Sequence, residues 1–215
     1  MCWCIIESMF EDREEAASKL CLKLKSVVKD KDIVVIALAR GGVVLGKIIA
    51  DYFKAPLDVL VIKKIGSPLN SEFAIGAVGP KNTVYWNYDL CKALGLSQTE
   101  KLKLRKEKEE QRRAQEKLFK SCHIDFKKKS VILVDDGVAT GATAITAAIF
   151  LKKEKAQEII LAIPVISKDT VLNIKRYFDK VCSLKIIKVF YAVGQFYRNF
   201  PQIENDQVIK ILSKI

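Results

Sequence analysis

Residues 131–143 read VILVDDGVATGAT, four apolar residues followed by two adjacent carboxylates and then by almost no bulk. Asp135 and Asp136 could serve a metal, a sugar, or only the end of a strand. Behind them, Gly137 and Gly141 permit a positive φ and a close approach of backbone to ligand. Amides that open a following helix lack partners and carry its positive dipole end, which favours phosphate. Thr140 and Thr143 add hydroxyl donors, while Ala139 and Ala142 leave room. The spacing is neither the GxxxxGK(S/T) of an ATP-binding loop nor GxGxxG. Carboxylates set before an anion site repel phosphate but accept hydrogen bonds from sugar hydroxyls. A ribose with a phosphate on its 5′ carbon meets both halves at once. The bland alternative makes the aspartates an N-cap and a strand terminator.

Two other stretches carry chemistry of the same kind. Ala-Arg-Gly-Gly at 39–42 offers Arg40 as a fixed fork of donors for phosphate oxygens, with Gly41 permitting close approach. Arg-Gly-Gly is equally an ordinary turn when taken alone. Lys63 and Lys64 end the run 57–64, where side chains alternate faces, so one of them is expected to reach an anion while the other points away. Lys64 is nearer the end of that run.

The elements that must position these residues follow from periodicity. Residues 10–29 have helical spacing, with Ala16, Leu20, Leu24 and Val27 on one side. The runs 33–39, 57–64, 131–135 and 158–166 are short, apolar and rich in β-branched residues, as in buried parallel strands. Helices are expected at 43–53, 142–153 and 168–178, and a further apolar run lies near 181–184. Residues 65–88 are punctuated by Gly66, Pro68, Gly76, Gly79 and Pro80 and predict a hairpin or flap. Ser97 and Glu100 have capping-box spacing before a charged helix. The order predicts an α/β fold, a doubly wound, mostly parallel sheet flanked by helices, with a flap and a small hood. Ligands of such sheets bind beyond the carboxyl ends of the strands, where all three chemical stretches fall. One domain over 10–215 is expected, with 1–9 as a tail.

Composition narrows the classes. The 215 residues carry 37 basic and 25 acidic side chains, a net charge of +12 that suits an anionic partner. Residues 100–120 hold nine basic and five acidic side chains, a pattern usual for a solvated helix face. No apolar run has the roughly 18 residues of a membrane span. MCWCII is too short for a secretory segment, so a cytoplasmic protein is expected. Six cysteines form no CxxC pair and one histidine, His123, offers no zinc set. Cys2 and Cys4 are read as part of the tail.

VILVDDGVATGAT closely resembles the 5-phosphoribosyl-1-pyrophosphate (PRPP) motif of type I phosphoribosyltransferases. FEDREEAASKL, ALARGG, VIKKIGSPLNSEFAIGAVG and FYAVGQFYRNFPQIENDQV extend the resemblance over nearly all of 10–215. The likeness is strongest to a bacterial group of stand-alone phosphoribosyltransferase-domain proteins of unassigned substrate. It implies that Asp135 and Asp136 hold the ribose 2′ and 3′ hydroxyls, and that Gly137 and Ala139–Thr143 belong to the loop wrapping the 5′-phosphate. Arg40 and Gly41 would form the pyrophosphate loop, which this fold often holds with a strained peptide bond. Lys63 and Lys64 would assist there. Asp135, Asp136, Arg40 and Lys64 become the candidate catalytic residues.

The implied reaction transfers a phosphoribosyl group to a nitrogen acceptor with release of pyrophosphate. The implied cofactor is Mg²⁺, bound mainly through pyrophosphate and with Asp135 and Asp136 as available ligands. Relatives acting on hypoxanthine and guanine carry an aspartate at the position of Ala139, so a 6-oxopurine acceptor is less favoured here. Glu72 is another base by position alone. Phe190 and Tyr191 match a segment where an aromatic ring stacks on the base; Tyr85 and Trp86 are weaker candidates. The alternative from another class is a regulator that binds PRPP or a nucleotide without turnover and uses the basic helix for RNA. A homo-oligomer is compatible with either.

Overall fold

The computed structural model describes residues 9–30, 32–68, 70–120 and 124–213. Helix α1 (Arg13–Leu24) leads into strand β1 (Ile33–Leu38), helix α2 (Gly42–Phe53) and strand β2 (Leu57–Leu60). Strands β3 (Lys63–Ser67), β4 (Asn70–Val78) and β5 (Val84–Trp86) come next, then α3 (Tyr88–Ala93) and the long α4 (Gln98–Phe119). Strand β6 (Ser130–Val134), α5 (Ala142–Lys153), β7 (Glu158–Ser167), α6 (Lys168–Ile174), β8 (Lys180–Ile187) and α7 (Asn205–Leu212) complete the order.

Five strands form one parallel sheet in the order β2-β1-β6-β7-β8. Alternation along the strands supplies two cores. Val34, Ile36, Val131, Leu133 and Leu161 pack with α5 on one face. Val35, Ala37, Ile132, Val134 and Ile160 pack with α1, α2 and α7 on the other. The chain runs outward from β1 to β2 in one direction and from β6 to β8 in the other. The switch point lies between β1 and β6, so the loops following these two strands part there and open a crevice.

Residues 63–86 form a separate antiparallel sheet, β3-β4-β5, in place of the looser hairpin expected at 65–88. The second parallel strand therefore stops at Leu60, and Lys63 and Lys64 open β3 instead of closing β2. The run near 181–184 is the centre of a full edge strand, β8. Met9 and Phe10 N–H both donate to the Phe196 carbonyl at 3.0 Å, which ties the start of the described chain to the segment between β8 and α7.

Local sequence explains the helix starts. The Asp12 side chain accepts from Glu15 N–H at 2.8 Å and opens α1, a cap generally worth about 1 kcal/mol. Ser97 and Glu100 make the full capping box of α4. Among the described residues no helix is long and apolar enough to cross a membrane.

Candidate active site

A cleft of about 570 Å³ lies at the switch point, beyond the ends of β1 and β6. Arg40, Gly41, Lys63, Lys64, Asp135, Asp136, Gly137, Ala139, Thr140, Gly141 and Thr143 all line it. Of the residues expected on the PRPP side, Ala142 alone is not part of the lining; it is the buried first residue of α5. The peptide bond between Ala39 and Arg40 is cis.

The loop after β6 is held from both sides. Val138 N–H donates to the Val165 carbonyl at 3.0 Å, and Ser167 N–H returns a bond to the Val138 carbonyl at 3.1 Å. The Thr170 hydroxyl donates to the Ala139 carbonyl. Gly141 takes φ +80°, where an added Cβ would also meet Ile174 Cγ2 at 2.8 Å. Gly137, expected to share that freedom, has no positive φ; its lack of a side chain instead admits Val193 and Val165. From Ala142 onward the first amides of α5 follow directly behind the cleft.

Asp136 is fixed by a residue far away in the chain. Arg13, with a side chain 6% exposed, places Nε and NH2 each 3.0 Å from Asp136 Oδ2. Its NH1 donates to the Pro201 carbonyl at 2.8 Å, and its guanidinium lies 3.7 Å from the centre of the Phe200 ring. The Tyr197 hydroxyl donates to the Asp136 carbonyl at 2.6 Å. Arg13 shares the buried face of α1 with Ala16, Ala17, Leu20 and Leu24. A cation on an apolar stripe is a legible sign of a buried partner, and it is the signal by which Arg13 could have been found.

Burial dominates the electrostatics. It raises Asp135 well above the ordinary carboxylate range, and the Asp136 charge adds to it. Burial raises Asp136 as well, with Arg13 the largest opposing influence. The charge of Lys64 also lowers both carboxylates. Lys63 is itself lowered, by burial first and then by the charges of Arg40 and Lys108. Both lysines line the cleft, so the expectation that one of them points away from it does not hold.

The cation at the other end is also restrained: Arg40 NH1 lies 3.1 Å from Glu204 Oε2, at the N-cap of α7. Lys108, Gln111 and Val193 also line the cleft, with Leu38, Ala39, Ile62 and Val138. Phe190 and Tyr191 stand outside it. The Phe190 ring packs on Phe196 at 4.9 Å between centroids, while Tyr191 is 80% exposed. Tyr85 packs edge-on to Tyr177, and Trp86 belongs to the small core under the hairpin. The side chain of Glu72 and residues Cys2, Cys4, Cys122 and His123 lie outside the described residues.

A doubly wound sheet with a polar crevice at its switch point, lined by acids, bare amides and cations, defines an α/β protein whose candidate site lies beyond the ends of its parallel strands. Residues 7–201 match the family model of the phosphoribosyl transferase domain, and the chain belongs to that family. It is 35% identical over 208 residues to a Mycobacterium tuberculosis protein whose name assigns it provisionally to the phosphoribosyl transferases, the match covering 96% of this chain and 47% of that one. The chain thus spans about half the length of the curated relatives it matches. A solved protein of Thermus thermophilus superposes with a TM-score of 0.77 at 29% identity, covering 95% of this chain and 98% of that chain. A protein of Aquifex aeolicus is similar in fold, with a TM-score of 0.50 at 14% identity, covering 80% and 72%.

Proposed function

We propose that residues 10–215 act as one catalytic domain that transfers the phosphoribosyl group of PRPP to a nitrogen acceptor. The observation that carries this reading is the meeting of three separate stretches, 40–41, 63–64 and 135–143, in one cleft at the switch point. In the proposed reaction the acceptor nitrogen bonds to C1′ as the bond from C1′ to the pyrophosphate oxygen breaks. The electron pair departs on pyrophosphate, and the acceptor's N–H proton passes to solvent.

Positive charge gathers on the ring and negative charge on the leaving group, so positioning and fixed charges supply the rate. Asp135 and Asp136 accept from the ribose hydroxyls, and Arg13 holds the second of them in place. The loop 139–143 and the first amides of α5 bind the 5′-phosphate. Arg40, Gly41, Lys63 and Lys64 receive the departing pyrophosphate. Among the described residues no group of three or more His, Cys, Asp or Glu is gathered as a metal site. Two adjacent carboxylates beside a diphosphate nevertheless suit Mg²⁺, which takes one or two carboxylates with phosphate oxygens and keeps several waters. Asp135 and Asp136 would hold it, and when bound it would neutralise charge on the diphosphate.

At the acceptor end Ala139 offers no carboxylate, which speaks against a 6-oxopurine that needs one there. Pyrophosphate release should be followed with PRPP, Mg²⁺ and a panel of nucleobases and small amines. Release with at least one acceptor is the expected result. Tight PRPP binding without release for any of them would turn the reading to a non-catalytic PRPP-binding regulator.

A further inference from the structure

The charge of residues 98–119 has a place in the site that composition alone does not reveal. Helix α4 packs on β3, the strand that begins with Lys63, and on α7, whose N-cap Glu204 pairs with Arg40. Lys108 and Gln111 line the cleft together with Arg40 and Lys63. Gln115 follows one turn later and donates to Asn205 Oδ1 at 3.2 Å. Positions 108, 111 and 115 share one side of a helix. That side of α4 therefore borders the site, with Lys108 and Gln115 half-buried and Gln111 exposed at its edge.

The helix is braced from within. Arg112, next to Gln111, is 3% exposed and reaches Glu109 with Nε and NH2 at 3.0 Å each and Glu116 with NH1 at 2.7 Å. A buried guanidinium forked between two carboxylates fixes the turn that carries Lys108 and Gln111. Lys108 itself leans on Glu107 Oε1 at 3.1 Å and Gln111 Oε1 at 3.3 Å, with a side chain 26% exposed.

Arg40, Lys63 and Lys108 line the same cleft, where burial first and then the charges of Arg40 and Lys108 depress the protonation of Lys63. Cations held together by three different elements repel one another until a multiply charged anion enters between them. Asp136 lies against Gly41 and offsets this cluster only in part, since Arg13 already holds its Oδ2.

We propose that α4 forms a wall of the pyrophosphate end of the cleft, with Lys108 donating to the leaving group and Gln111 hydrogen-bonding beside it. This inference rests on the phosphoribosyl-transfer reading and adds to it a residue from outside the three motif stretches. Calorimetric titration with inorganic pyrophosphate plus Mg²⁺, and separately with ribose 5-phosphate, tests it on the full chain. Lys108→Ala should weaken pyrophosphate by about tenfold or more, as expected for a lost charged hydrogen bond. Ribose 5-phosphate should stay within about twofold, which also reports that the variant is folded, and Lys108→Arg should restore most of the lost affinity. Lys103→Ala, removing an exposed charge of the same helix, should change neither. Equal pyrophosphate affinity for wild type and Lys108→Ala, or equal losses for both probes, overturns the inference alone. Wild type that binds neither probe overturns it together with the reading beneath it.

Discussion

The loop end of the cleft comes from one run, residues 135–143, whereas the cationic end draws on residues 40–41, 63–64, 108–111 and 204 from separate elements. In the proposed reaction the loop end binds through backbone amides, shaped by the positive φ at Gly141. At the cationic end side chains would bind, with Arg40 held by Glu204 at the N-cap of α7 and Lys108 by Glu107 and Gln111 of its own helix. The contrast teaches where each end should be fragile. A contiguous loop fails through its geometry, and an assembled cluster fails through the loss of any one support. Asp136 joins the two designs, since it sits in the loop but depends on Arg13 from α1.

The largest effect is expected from that dependence. Arg13→Ala strands a buried carboxylate and empties the space over Phe200, so the chain should lose about 3–5 kcal/mol of stability in denaturant unfolding. Arg13→Lys, which keeps the charge but not the fork, should recover only part of it. Full stability in Arg13→Ala would show that Asp136 needs no distant support.

Gly41→Ala sharpens the comparison at the place where the two ends touch. An added Cβ would overlap Asp136 Oδ2, whose carboxylate Arg13 holds from moving aside. Displacing that carboxylate should lower kcat/KM by about 100-fold, the scale set by misplacing a reacting group by an ångström. An unchanged kcat/KM would mean that the site tolerates a shifted Asp136.

Asp135→Asn should have the smallest effect on folding and the opposite sign. Asp135 is raised in the folded chain, so its stabilising contribution is fully present below the ordinary carboxylate range. It is lost as pH rises through the raised folded value. The variant keeps an oxygen to accept from Asp136 N–H, a bond of 3.0 Å in the parent, but cannot ionise. It should therefore gain on the order of 1 kcal/mol near neutral pH, as is common when a functional charge is removed. Stability curves of parent and variant that stay parallel from pH 4 to pH 8 would contradict the assignment.

How far the sequence announced each end follows the same division. VILVDDGVATGAT has strand, acids and amides in one window, so its place and its chemistry were legible together. The parallel sheet was legible too, because four apolar runs had strand length and alternated with helical spacing. Lys63 and Lys64 were visible as cations but were assigned to the end of the second strand. The chain leaves that strand at Leu60 and starts an antiparallel one, a change that apolar content does not mark. Lys108 and Gln111 had no local signal, since only the docking of α4 separates them from the solvated charges around them. Phe190 and Tyr191 drew attention as aromatics, yet one packs inward on Phe196 and the other is exposed beyond the cleft.

The most direct measurement is calorimetric titration of PRPP with Mg²⁺ into wild type and Asp136→Asn. The expected result is saturable binding to wild type, weakened about tenfold or more by the substitution. No binding to wild type, or the same affinity in both, would contradict the assignment of this cleft to PRPP.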